Sequence, residues 1–155
     1  AAAIGARGMA GGQAIDLESV GKALSVPELE FMHIHKTGAI IRASALLGAR
    51  CGNGLDGGLT ERELGQVDLF AKLIGLAFQV VDDVLDADSS TATLGKTAGK
   101  DAKANKPTYV SAMGVARARE LAQELRQKAL DTLAGFGERA SRLRQIADFI
   151  VLRKF

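Results

Sequence analysis

"IGLAFQVVDDVLD", residues 74–86, decides how this chain is read. It closes a longer apolar stretch, "LFAKLIGLAFQVV", that begins at Leu69. Leu73, Ile74, Leu76, Phe78, Val80, Val81, Val84 and Leu85 make the helix apolar nearly all round, and such a helix is usually central in its fold. Yet the segment carries Asp82, Asp83 and Asp86, with Gln79 one turn earlier. Burying an unpaired carboxylate is costly even after the surroundings relax. Asp82 and Asp86 are four residues apart and share a face, and Asp83 and Asp86 are also neighbours on the helix surface. The negative C-terminal end of the helix adds to their mutual repulsion. A hard divalent cation relieves it, and Mg²⁺ characteristically takes one or two carboxylates together with phosphate oxygens. The plainer alternative is a solvated helix end whose acids face water. A calcium loop counted from Asp86 fails, because Thr91 and Thr97 fall where the glycine and the bidentate glutamate belong.

Outward from this segment the periodicity is helical and strand alternation is nearly absent. Thr60-x-x-Glu63 is a capping box that opens the acid-bearing helix, expected over 60–86. Ser25-x-x-Glu28 opens another, expected to run to Leu47, with Pro27 tolerated in its first turn. A shorter helix is expected over Met9 to Ser19. After the acids comes "ADSSTATLGKTAGKDAKANK", a loop of small residues bearing Lys96, Lys100, Lys103 and Lys106. Loops this long in compact domains are functional or disordered. Pro107 suits the first position of a helix running to Leu133, and "ERASRLRQIADFIVLRKF" reads as a final amphipathic helix.

Lys36 is the second anomaly. It falls in an apolar stripe marked by Leu29, Met32, Ile40, Ala43 and Leu47, where a lysine must snorkel out or meet an anion. Thr37 could donate a hydroxyl to the same anion. Gln13 and Asp16 form a further polar pair on the first helix, which a surface face would explain equally well. A carboxylate triad on a buried helix, a lysine among apolar residues and a lysine-bearing loop together suggest a metal–polyphosphate site at the mouth of an apolar helical cavity. His33 and His35 are two residues apart and point to different sides, so they make no zinc site.

Bulk properties narrow the class. The 155 residues suit one domain or part of a larger one; they are 47% hydrophobic and 25% charged, enough for a packed core. Net charge is +2 and aromatics are 5%, so no nucleic-acid partner is expected. No apolar run approaches the ~20 residues of a membrane span, and the start "AAAIGARGMAGGQ" lacks the pattern of a signal peptide. Cys51 is the single cysteine, consistent with a reducing, cytoplasmic setting. The chain opens as if cut from something longer.

The segments "GGQAIDLES", "HKTGAIIRASALLGA", "IGLAFQVVDDVLD", "TATLGKTAGKDAKANKPTYV" and "ADFIVLRKF" together resemble the later half of short-chain trans-prenyltransferases. The family is that of the isoprenyl diphosphate synthases, and bacterial farnesyl diphosphate synthases (geranyltranstransferases) carry the nearest pattern. The resemblance implies an all-α helical bundle of the isoprenoid synthase type, here its later helices. Residues 1–155 would be the C-terminal part of a single domain whose N-terminal half is absent. It implies Mg²⁺ as cofactor, an allylic diphosphate (geranyl or dimethylallyl) and isopentenyl diphosphate as substrates, and a homodimer in the full-length protein. Asp82 and Asp86 would hold Mg²⁺ with Asp83 supporting; Lys36, Lys96 and Lys106 would contact diphosphate; Gln79, Thr37, Gln13 and Asp16 would line the reaction cavity. The family's first aspartate-rich motif has no counterpart in this sequence, so the chain alone is expected to be inactive. A longer-chain polyprenyl synthase, a non-catalytic partner subunit and a terpene cyclase are the rival readings; the GKxxGxD loop favours chain elongation over cyclisation.

Overall fold

The structure, a computed structural model, describes residues 1–52, 58–92 and 106–153. A 3₁₀ turn at Ala2–Ile4 leads into α1 (Met9–Glu18) and α2 (Val26–His33). A π-helical turn (Ile34–Gly38) joins α2 to α3 (Ala39–Cys51). Then come α4 (Glu61–Ala92), α5 (Tyr109–Met113), α6 (Val115–Thr132), a 3₁₀ segment (Ala134–Ala140) and α7 (Ser141–Leu152). The fold is all-α, with no strand among the described residues.

α4 is the axis around which the rest packs. Phe70, Ile74, Ala77, Val80, Val81 and Val84 supply its share of the core. They meet Leu29 and Met32 of α2, Tyr109 of α5, and Ala147 and Val151 of α7. The main partner of α4 is α6, which turns Ala118, Ala122, Leu125 and Ala129 inward. That spacing of four, three and four residues is one helix face, and its alanines let the two backbones approach closely. By length and composition the span Glu61–Asp88, with a mean hydropathy of 1.5, could cross a membrane, contrary to the expectation that no segment is long and apolar enough. Its most apolar window is 56% buried against neighbouring helices, as the core helix of a bundle also is.

Both capping boxes form. The Ser25 N–H and hydroxyl donate to Glu28 Oε2 at 2.8 and 2.6 Å. The Thr60 N–H donates to Glu63 Oε2 at 2.8 Å, and the Glu63 N–H donates back to Thr60 Oγ1 at 3.2 Å. Other boundaries depart from expectation. The helix expected from Ser25 to Leu47 is interrupted by the π turn and continues to Cys51, past Gly48. α4 continues to Ala92 rather than stopping at Asp86. The helix expected from Pro107 starts two residues later, with Thr108 as its cap, and breaks at Gly114. Gly114 has φ +82°, a backbone setting that glycine adopts without the steric cost of a Cβ. The final helix begins only at Ser141, after the 3₁₀ segment.

Candidate functional site

The site is organised by the π turn. One extra residue per turn widens the backbone locally, and such turns occur often at functional sites. Here the turn lies between α1 and α4. Gly12 of α1 packs so closely that a Cβ there would sit on the Lys36 backbone nitrogen and 2.5 Å from its Cα. On the other side, a Cβ on Gly75 of α4 would lie 3.3 Å from the Gly38 Cα. Two consecutive side chains of the turn are thereby sent to two different helices.

Lys36 reaches α1. Its Nζ donates to Asp16 Oδ2 at 2.9 Å, and Lys106, from the segment before α5, donates to the same oxygen at 3.2 Å. Asp16 is 3% exposed, so a charged carboxylate there needs its partners. Burial pushes its pKa up, but the hydrogen bonds and charges of Lys36 and Lys106 outweigh this and hold it below the ordinary value. Each ammonium has three donors, so its bond to Asp16 leaves donors for another anion. Thr37, next in sequence, hydrogen-bonds through its hydroxyl to the side-chain carbonyl of Gln79 on α4. Lys36, Asp16 and Lys106 thus form one hydrogen-bonded polar patch, and Thr37 with Gln79 a second pair that the turn sets beside it. Lys36 neither snorkels to solvent nor waits alone for a ligand: an internal carboxylate receives it.

The three acids of α4 divide. Asp83 is buried and turned inward, where its Oδ2 accepts the Tyr109 backbone N–H at 2.7 Å and ties the start of α5 to α4. Asp82 is half-exposed and pairs with Arg153, just beyond the end of α7. Asp86 lies half-buried one turn further along. A hydrogen bond to a charged group contributes about 1.5–3 kcal/mol. Asp83→Ala is therefore expected to lower unfolding free energy by about that amount in urea denaturation, with Asp83→Asn milder because an acceptor remains. Among the described residues no three His, Cys, Asp or Glu side chains converge on a common point. Asp82 and Asp86 nevertheless suit Mg²⁺, being two hard oxygen donors on one face, the number that ion takes when phosphate oxygens complete its shell.

Gln13 is exposed on α1, one turn from Asp16 and outside the hydrogen-bonded patch. Lys96 and the GKxxGxD loop lie outside the described residues. Two further groups emerge only in three dimensions. His33 is buried, stacks on Tyr109 with ring centroids 5.6 Å apart, and has no hydrogen-bond partner on either ring nitrogen among the described residues. Burial first, and then the nearby Lys36 charge, lower its pKa to about 4, so it is neutral at pH 7. Burial likewise raises the pKa of the Tyr109 phenol. Arg153 lies within the recognisable "ADFIVLRKF", but nothing in the sequence pairs it with an acid 71 residues earlier.

Known proteins share the sequence pattern and the fold of this chain. Residues 4–147 match the polyprenyl synthetase family. The chain is 45% identical to the chloroplastic geranylgeranyl pyrophosphate synthase 11 of Arabidopsis thaliana, covering 99% of this chain and 43% of that protein. It is also 45% identical to a protein of Bradyrhizobium diazoefficiens named "Probable farnesyl diphosphate synthase", covering 94% of this chain and 44% of the other. Among solved structures it superposes on the geranyltransferase of Helicobacter pylori complexed with magnesium and isoprenyl diphosphate. That match has a TM-score of 0.72 and 31% identity, over 98% of this chain and 48% of the other. The chain therefore spans about half the length of the relatives it matches.

Proposed function

From the premise that this chain belongs to the polyprenyl synthetase family, whose members are prenyltransferases, we propose that it is the diphosphate-holding part of an enzyme that joins an allylic diphosphate to isopentenyl diphosphate. The observation that carries this reading is the convergence of Lys36 and Lys106 on buried Asp16. Two ammonium groups side by side repel each other, and Asp16 offsets that repulsion while leaving donors on both for the oxygens of a leaving diphosphate. Asp82 and Asp86 are the residues proposed to hold Mg²⁺, which would supply Lewis-acid neutralisation of the diphosphate when bound. Thr37 and Gln79, tied to each other, would border the path between the lysines and α4. The core side chains of α4, Ile74, Ala77 and Val80, keep its interior face dry, which suits a reaction whose cationic carbon must be kept from water.

The product proposed is farnesyl diphosphate. Geranylgeranyl diphosphate is a second reading, favoured by the name of the Arabidopsis thaliana relative. A homodimer of the full-length protein is proposed with it, as is a reducing, cytoplasmic setting, supported by the exposed free thiol of Cys51. The decisive experiment supplies geranyl and isopentenyl diphosphates with Mg²⁺ to two samples. One is this chain alone; the other is this chain joined to the first half of the Bradyrhizobium diazoefficiens relative. No product from the first sample and farnesyl or geranylgeranyl diphosphate from the second, identified by mass spectrometry, is the expected result. A folded joined protein that binds neither substrate would defeat the proposal.

A further inference from the structure

Arg153 follows the last turn of α7, yet its side chain is only 12% exposed. Its guanidinium spans two groups of α4. One terminal nitrogen donates to Asp82, and the planar head lies over the Phe78 ring with its carbon 4.6 Å from the ring centre. The fit is incomplete, because Nε is buried without a hydrogen-bond partner among the described residues. A buried donor left unsatisfied carries a desolvation cost, so this arginine is held by its other two contacts against that cost. Phe78 and Asp82 are four residues apart and therefore on one helix face, so stacking on the first aligns the charge with the second.

We propose that Arg153 is a positioning residue that competes with Mg²⁺ for Asp82. The inference rests on the reading that Asp82 and Asp86 receive the metal. The guanidinium holds Asp82 through Oδ1, and two cations on one carboxylate repel each other, so loading is an exchange: Mg²⁺ takes Asp82 as Arg153 leaves it. Until then the arginine neutralises an acid that would otherwise repel Asp86 one turn away. Once displaced, Arg153 remains tethered by α7 next to the metal, where two positive charges are unfavourable unless an anion lies between them. The metal alone is therefore a poor ligand, and a metal that arrives with a phosphate-bearing molecule is a good one. In this way α7, whose C-terminal end approaches the acid cluster, makes the site selective for the metal–anion pair.

Removing one partner of a half-exposed ion pair shifts binding of its competitor by about fivefold. Isothermal titration of Mg²⁺ alone, without phosphate, is the direct test on this chain. Arg153→Gln is expected to bind Mg²⁺ about fivefold more tightly than wild type, and Arg153→Lys to fall between them. Arg119→Gln, which removes an equal charge paired instead with Asp88, separates displacement from the general field and is expected to shift affinity less than about twofold. In wild type, saturation with Mg²⁺ is expected to move the Arg153 ¹⁵Nε resonance to the position of a solvated guanidinium while that of Arg119 stays in place; an unmoved Arg153 resonance would overturn the exchange. Equal or weaker Mg²⁺ binding by Arg153→Gln overturns the inference alone. Absence of Mg²⁺ binding in both wild type and variant overturns the reading of Asp82 and Asp86 as the metal site, and the inference with it.

Discussion

Gly12→Ala is expected to destabilise the chain by about 3 kcal/mol or more, with a melting temperature lower by about 6–12 °C. The added methyl would not meet a side chain that could rotate away. It would meet the backbone of Lys36, within a turn whose Gly38 is closely approached from the opposite side by Gly75 of α4. α1 would have to retreat, drawing Asp16 away from Lys36 and Lys106, so packing and ion pairing would fail together. Gly65→Ala is the matched control. Gly65 lies within α4 with nothing within 4 Å of its would-be Cβ, so there the methyl is expected to raise stability by about 0.5–1 kcal/mol through helix propensity. Thermal and urea denaturation of both variants would check the opposite signs. A stable Gly12→Ala would mean that α1 does not pack on the π turn as described.

Replacing Lys36 and Lys106 together by alanine is expected to cost about 3–5 kcal/mol at pH 7, because the buried Asp16 carboxylate then lacks a counter-charge. The pH dependence tests the cause. In the wild type the two lysines hold the folded-state pKa of Asp16 below 3.8, so its contribution is present above that pH and fades as pH falls through the lowered value. In the double variant only burial remains and the folded-state pKa rises. The folded form then holds a proton that the unfolded form releases, so stability increases as pH falls towards 4. The gap between wild type and variant should narrow between pH 7 and pH 5 in denaturant titrations. A constant gap would indicate lost packing of the lysine stems and not a stranded charge.

What was legible in the sequence was local or periodic. The boxes at Ser25–Glu28 and Thr60–Glu63 are formed by side chains three residues apart, and they start helices where expected. The apolar run ending at Asp82 belongs to a central helix because nearly every face of it must be covered. The π turn left no such mark. It depends on Gly12 and Gly75 arriving from separate helices, and pairwise contact of distant segments has no period. Lys36 stands out in the sequence as a charge among apolar residues, but its partner Asp16 is indistinguishable there from half of a surface pair, because only the packing of α1 on the turn brings the two together. Spacing groups Asp83 with the other acids, whereas the backbone of Tyr109 draws it inward. Arg153 is silent in the sequence, because the end of α7 carries no signal of what it will touch.

The π turn also bears on how such a chain can change over generations. A wide turn holds one residue more than an ordinary helical turn, so losing a single codon between Ile34 and Gly38 would restore a regular helix and leave the residues after it in register. Ile41 would still meet Gly75, but Lys36 and Thr37 would lose the widening that sends them to Asp16 and Gln79. Inheritance therefore has to preserve a count there as well as an alphabet: many substitutions can drift through α3, but a deletion in the turn discards the site at one stroke.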